Sequence, residues 1–210
     1  TSSSTSTNTI RTFTAGSGLQ SIGFGAFYRQ RNLDNVTLNE GLVTIGKYAF
    51  ADCGYVSGST FRGIQSITIP STVTTIGTYA FYNCYGFNGS LLLSENLTSI
   101  DASAFSCDNS YTMKFTGSLT IPNKVTSIGN YAFQYCSNLE GSLTLSAALQ
   151  TIGSYAFASC SKFNTMICLA TTPPTAQSTT FNGHNIAILY VPEESVDLYY
   201  EEDPWYDFWI

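Results

Sequence analysis

Charge is scarce in this chain. Only 10% of its 210 residues are Asp, Glu, Lys or Arg, well below the usual quarter. Histidine is almost absent, His184 being the single copy. Nucleophilic pairs of the Ser–His or Cys–His type need an imidazole beside the nucleophile. Zinc sites need several ligands close together. One isolated histidine, with no C-x-x-C pair anywhere, supplies neither. The motifs G-x-S-x-G, H-E-x-x-H and the phosphate-binding loop are also missing. No catalytic residue, metal or cofactor is therefore expected, and the chain reads as non-enzymatic. No apolar run approaches 18 residues, so no transmembrane helix is expected. No charged-then-apolar leader is visible either.

Ser, Thr, Asn and Gly fill the space left by charge. A surface wetted by hydroxyls and amides suits a secreted or cell-surface protein. The few charges are unevenly placed. Thr1 to Pro192 hold eight Lys/Arg and seven Asp/Glu, a net of +1. Glu193 to the end hold seven acids and no base, a net of −7, which completes the overall −6. Neither part forms a basic stripe, which argues against nucleic-acid binding. Residues 1–9, TSSSTSTNT, are a low-complexity linker or disordered end, too polar to pack. Any signal or anchor is expected upstream of this stretch.

The rest is built from repeats. Phe27, Phe50, Phe81, Phe105, Phe133, Phe157 and Phe181 follow at intervals of 23, 31, 24, 28, 24 and 24 residues. Ile stands five residues before each of the first six, and Ala stands immediately before. The best-kept copies are IGKYAFADC (45–53), IGTYAFYNC (76–84), IGNYAFQYC (128–136) and IGSYAFASC (152–160). Between copies, apolar residues alternate: Val36 and Leu38, Ile67 and Ile69, Leu91 and Leu93, Leu119 and Ile121, Leu143 and Leu145. Period two over a short run is a strand with one buried face. A unit of about 24 residues cannot bury its apolar face alone, but stacked copies can. The expected fold is an α/β-type repeat solenoid of about seven coils over residues 10–192. A parallel β-sheet forms one face and short helices or turns the other. Residues 193–210 form an acidic C-terminal helical cap, with Val196, Leu198, Tyr199 and Trp205 covering the last coil. The extra residues of the two long periods, at 54–65 and 108–117, are expected in loops.

The recurring pattern L-x-L/I-P-x-x-V/L-T-S-I-G-x-Y-A-F-x-x-C resembles the BspA-like leucine-rich repeats of bacterial surface proteins. The ending ATTPPTAQSTTFNG…ILYVPEESVDLYYEEDPWYDF resembles the last coil and cap of that family. The resemblance implies a leucine-rich-repeat-like solenoid, no enzymatic site, surface display, and adhesion to host or microbial partners. Two slots depart from the pattern: Asp101 replaces the motif Gly, and Gln30 the motif Cys. The Asn ladder of ordinary leucine-rich repeats is also missing, its slot holding Gly41, Thr72, Asn96, Lys124 and Ala148.

Each motif residue has a structural reading. The slot shared by Gly23, Gly46, Gly77, Asp101, Gly129 and Gly153 suits a helix N-cap or a positive-φ turn, and the N-cap is favoured. The alanines are small where backbones approach. Tyr48, Tyr79, Tyr131 and Tyr155 lie at the core margin, or form an aromatic stripe for a partner. Cys53, Cys84, Cys107, Cys136 and Cys160 form a ladder of buried free thiols rather than a disulfide framework. Cys168 falls in the outward-facing slot of the strand.

Function is then expected on the outer face of the sheet. Its candidate partner-binding residues are Thr37, Thr68, Leu92, Thr120 and Thr144, flanked by Ser90, Ser118, Ser142 and Met166. A hydroxyl-lined extended sheet suits a host or microbial surface protein, or a glycan. The module is expected to be a monomer. The alternative is a structural spacer that displays an upstream region. NVT (35–37), NGS (88–90) and NLT (96–98) are N-glycosylation sequons that a bacterial origin would leave bare.

Overall fold

In the computed structural model, the structure describes residues 10–58, 60–108, 113–186, 188–208 and 210. The expected N-terminal linker, 1–9, lies outside them, as does part of the second insertion. The chain winds into a parallel-strand solenoid of about eight turns. Thr12–Thr14 adds a turn ahead of the first motif by pairing with Asn35–Thr37.

Two ladders hold the coils together. The first runs through the Thr-Ile or Ser-Ile pair of each motif. Its six parallel strands follow the order Thr151–Ile152, Ser127–Ile128, Ser99–Ile100, Thr75–Ile76, Thr44–Ile45, Ser21–Ile22. A bridge from Thr151 to Thr175 carries it one coil further. The second is the broader sheet Gly117–Thr120, Leu139–Leu145, Lys162–Cys168, Ile188–Tyr190, also parallel. This sheet stops short in the middle of the molecule. Ile67–Ile69 and Leu91–Leu93 bury Ile67, Ile69 and Leu91 as their alternation predicts, but neither is paired as a strand. The interruption coincides with the two insertions. The first insertion folds as an antiparallel hairpin, Gly54–Ser57 against Thr60–Gly63.

Of the short helices or turns expected on the other face, the motif segments form turns, one closing directly after another. Within one copy, Ala49 N–H bonds to Gly46 O, Ala51 to Tyr48 O and Cys53 to Phe50 O. The residues between them bond to the next coil: Tyr48 N–H to Thr78 O, Phe50 to Ala80 O, Asp52 to Tyr82 O. Alternate backbone groups thus close turns or join coils, and none need be left unpaired. The reversals require left-handed backbone at two positions per copy, such as Tyr48 (φ 56°) and Asp52 (φ 57°). That conformation cannot continue an α-helix. Coil four, where the cysteine comes one residue early, has only Ser103 in that conformation among its described residues.

The motif glycines are therefore not N-caps. At Gly46, Gly77, Gly129 and Gly153 a Cβ would lie under 3.0 Å from backbone atoms of the preceding coil. Close approach of two backbones excludes a side chain there. Asp101 occupies the same slot at a visible distance. The coil-joining bond is 2.8 Å at each of those four glycines but 3.4 Å from Asp101 N–H to Ile76 O.

The core is a column of rings. Phe27, Phe50, Phe81, Phe105, Phe133, Phe157 and Phe181 stack with centroids 5.1–5.7 Å apart and planes within 10°. Leu97, Val125 and Leu149 and the motif isoleucines are buried around it. Burial of each ring contributes roughly 1.5–3 kcal/mol. At the C-terminal end the column meets Trp205 and Phe208, which pack edgewise on Phe181. The cap consists of the helix Val196–Glu201 and short 3-10 turns. Tyr199 and Trp205 cover the last coil as expected, and their polar atoms bond to Ala170 O and Pro174 O. Leu198 does not: it is exposed. Phe208 takes that role instead.

Candidate binding face

Turns build this face without the Asn ladder. Five coils close the turn after the strand with the same bond: Leu42 N–H to Asn39 O, Val73 to Pro70 O, Leu97 to Ser94 O, Val125 to Pro122 O, Leu149 to Ser146 O. Proline, serine or asparagine starts the turn, as such turns favour. The turn sends Leu42, Val73, Leu97, Val125 and Leu149 inward and leaves the strand before it with one solvent face.

That face has two rows. Ser118, Ser142, Thr165 and Ile188 form one; Thr120, Thr144, Ile167 and Tyr190 form the other. Thr37, Thr68, Leu92, Ser90, Ser118 and Thr120 are exposed, and Ser142 and Thr144 are half-buried. Thr37, Thr68 and Leu92 stand apart from the continuous sheet that carries Thr120 and Thr144. Between Leu92, Leu93 and Asn96 on one side and Thr120, Ile121 and Lys124 on the other lies a cleft of about 610 Å³. Lys124 Nζ reaches across to Asn96 Oδ1 at 2.5 Å.

Met166 and Cys168 do not belong to this face. Both are fully buried. The 24-residue spacing places them opposite Ser142 and Thr144, but the sheet pairs those residues with Thr165 and Ile167. Gly141 pairs with Phe163 and Ser142 with Thr165, so the coil runs two residues short of the repeat ahead of this irregularity, which inserts Asn164 and leaves it one short. A one-residue slip turns each later side chain to the other face. Met166 then pairs with Leu143 and Cys168 with Leu145, both core residues. Tyr190 and Ile188, 55% and 42% exposed, are the surface residues that spacing missed. The alternation of LYVP (189–192) against LTIP (119–122) carried the signal: it puts Tyr190 in the slot of Thr120.

The tyrosines lie elsewhere, on the turns. Tyr48 stacks on Tyr79 and Tyr131 on Tyr155, at 4.9 and 5.4 Å. Ser103 breaks the stripe between the two pairs.

The cysteine ladder is chemically quiet. All six thiols are free and buried. Each of four donates to the phenylalanine carbonyl one coil back: Cys53 to Phe27, Cys84 to Phe50, Cys136 to Phe105, Cys160 to Phe133. Burial pushes Cys53, Cys107 and Cys160 up to about 12 and Cys84 and Cys136 well above the ordinary thiol range. Thiolate, the nucleophilic form, is thus suppressed at neutral pH. Ellman's reagent at pH 8 is expected to leave the native protein unlabelled and to count six thiols after unfolding without reductant. Fewer than five would contradict a free-thiol core. The folded state holds these protons above the pH at which an unfolded thiol releases them. Stability is therefore expected to be intact below about pH 9 and to fall as pH rises toward 12.

Among the described residues no group of three or more His, Cys, Asp or Glu could hold a metal ion. His184 accepts from Ile186 N–H and packs on Phe208 at the cap. Desolvation there lowers its pKa, and its surroundings are structural.

Stacked parallel coils, a phenylalanine column and a hydroxyl-bearing sheet face define a leucine-rich-repeat solenoid. The chain belongs to the BspA type leucine rich repeat region family, which matches residues 5–62, 54–120 and 108–200 in six copies. No curated protein matches the chain in sequence. Solved structures similar to it include the pneumococcal vaccine antigen PcpA, at 18% identity and TM-score 0.49, over 88% of this chain and 51% of that one. A leucine-rich repeat protein from Bacteroides ovatus is similar at 18% identity and TM-score 0.30, over 88% and 61%. The chain thus spans about half and about three-fifths of the length of these two. No described helix is long and apolar enough to cross a membrane.

Proposed function

We propose that this chain is a non-enzymatic, monomeric protein-binding module of a bacterial cell surface, engaging a host or microbial surface protein through the outer face of its sheet. The observation that carries this reading is the face itself. Threonines and serines alternate there with exposed Leu92, Ile188 and Tyr190, and the face is nearly free of charge. Solenoids use such extended surfaces for binding. Apolar anchors among adaptable hydroxyls favour a protein surface, because central desolvated anchors supply most interface energy.

Purified extracellular-matrix proteins, immobilised as a panel, provide the test. Binding by the native chain should fall at least about tenfold in the double variant Thr120→Arg/Thr144→Arg, since two unpaired charges would be placed inside the contact. Unchanged binding would move the contact off this face. No binding across the panel, with adhesion retained by an upstream region alone, would favour the spacer reading.

A further inference from the structure

The two insertions that break the repeat meet at one place, beside the starts of the strands Gly117–Thr120 and Leu139–Leu145. The hairpin carries Phe61 on its second strand. Lys114, from the second insertion, holds its Nζ 4.1 Å from the centre of that ring. Beside them opens a pocket of about 390 Å³, walled by Gln65, Asn88, Thr116 and Asn138. Its floor is Gly86. A Cβ there would lie 2.6 Å from the carbonyl carbon of Gly63. Close packing against the hairpin base therefore keeps this part of the floor bare backbone.

The amides are oriented by their own bonds. Gln65 Nε2 donates to Gly63 O, and its Oε1 accepts from Asn88 Nδ2, both at 2.9 Å. Asn138 Nδ2 donates to Met113 O, and its Oδ1 accepts from Lys162 Nζ. Asn88 Oδ1 and the Thr116 hydroxyl have no protein partner among the described residues. The lining includes one lysine and no carboxylate. Lys114 has no ion pair among the described residues. In a chain of net charge −6, this pocket is a positive spot.

We propose that the pocket binds a carboxylated sugar: a sialic or uronic acid residue of a glycan. Its carboxylate is met by the Lys114 ammonium. Ring hydroxyls donate to Asn88 Oδ1 and exchange bonds with the Thr116 hydroxyl, while the apolar ring face rests beside Phe61. A preformed pocket of this size, with few fixed polar groups and one aromatic wall, suits a small polar ligand. A bare anion would leave the amide acceptor and the aromatic wall unused. A neutral sugar would bring no anion to the Lys114 ammonium.

The pocket shares no lining residue with the cleft between Leu92 and Thr120, so separate variants test the two readings. Saturation-transfer NMR on the full chain tests it with four probes: N-acetylneuraminic acid, glucuronic acid, galactose and sodium acetate. Saturable transfer to one or both acids is expected, at least about tenfold stronger than to galactose. Whichever acid binds better identifies the source. Lys114→Gln and Asn88→Asp should each weaken it about tenfold, and Thr120→Arg should leave it unchanged. The proposal is overturned if neither acid binds saturably, if equal acetate displaces the sugar, or if both pocket variants keep native affinity.

Discussion

Phe133→Ala is expected to destabilise the fold by about 4 kcal/mol, with the midpoint of thermal unfolding falling by roughly 8–16 °C. Phe133 is fully buried and lies mid-column, stacked on Phe105 at 5.4 Å and on Phe157 at 5.3 Å. Its removal leaves a cavity bordered by two rings that the coil-joining hydrogen bonds hold in place. Phe105 N–H to Ala132 O and Phe133 N–H to Ala156 O are both 2.8 Å, so neighbouring coils cannot easily close in. Stability in stacked repeats is carried by interfaces between neighbours. Phe133 is fully buried between two complete coils, whereas Phe27, between Phe13 and Phe50 near one end, is only half-buried. Phe27→Ala should cost less than half as much. Circular dichroism melts of both variants decide this, and equal shifts would contradict a nearest-neighbour column.

Gly129→Val is expected to cost about 3 kcal/mol. Its Cβ would begin 2.5 Å from Ala102 N and 2.8 Å from Ala102 Cα. Those are backbone atoms, so relief requires separating two coils rather than turning a side chain. Separation stretches the 2.8 Å bond from Gly129 N–H to Ile100 O. The molecule already contains the comparison in Asp101, where the equivalent bond is 3.4 Å. Asp101→Gly should change stability by less than about 1 kcal/mol, because closer approach is offset by the greater backbone entropy glycine loses on folding. Urea titrations of the pair provide the check. A Gly129→Val variant as stable as the native chain would show that the coils are not held at this spacing.

The slot occupied by these glycines shows where reading from sequence stops. Gly in five copies and Asp in one is a pattern that an N-cap also produces, and the residues alone do not separate the two. What separates them is the neighbouring coil, whose distance is a tertiary quantity. The cysteines were easier. Their place two or three residues after phenylalanine in five coils meant a core position, and each is buried. The 24-residue spacing puts Met166 and Cys168 outward, but the coil that follows Cys160 is shorter, and Ser142 pairs with Thr165 rather than Met166. Alternation has period two, so an error of one residue is the largest error it can make. The aromatic pocket was not legible at all. Phe61 and Lys114 are 53 positions apart and belong to different insertions, which carry no repeat pattern to align them.

The sequence by itself determined the repeat, its period, the inward side of the alternating segments ahead of Lys162–Cys168 and the chain's membership of a solenoid family. Periodic burial is a local property, repeated until chance is excluded. Tertiary structure alone decided that the turns are left-handed reversals, that the sheet opens in the middle, and that the two insertions converge. Those features depend on how closely one coil lies on the next. Backbone packing sets that distance, and no single coil contains the information.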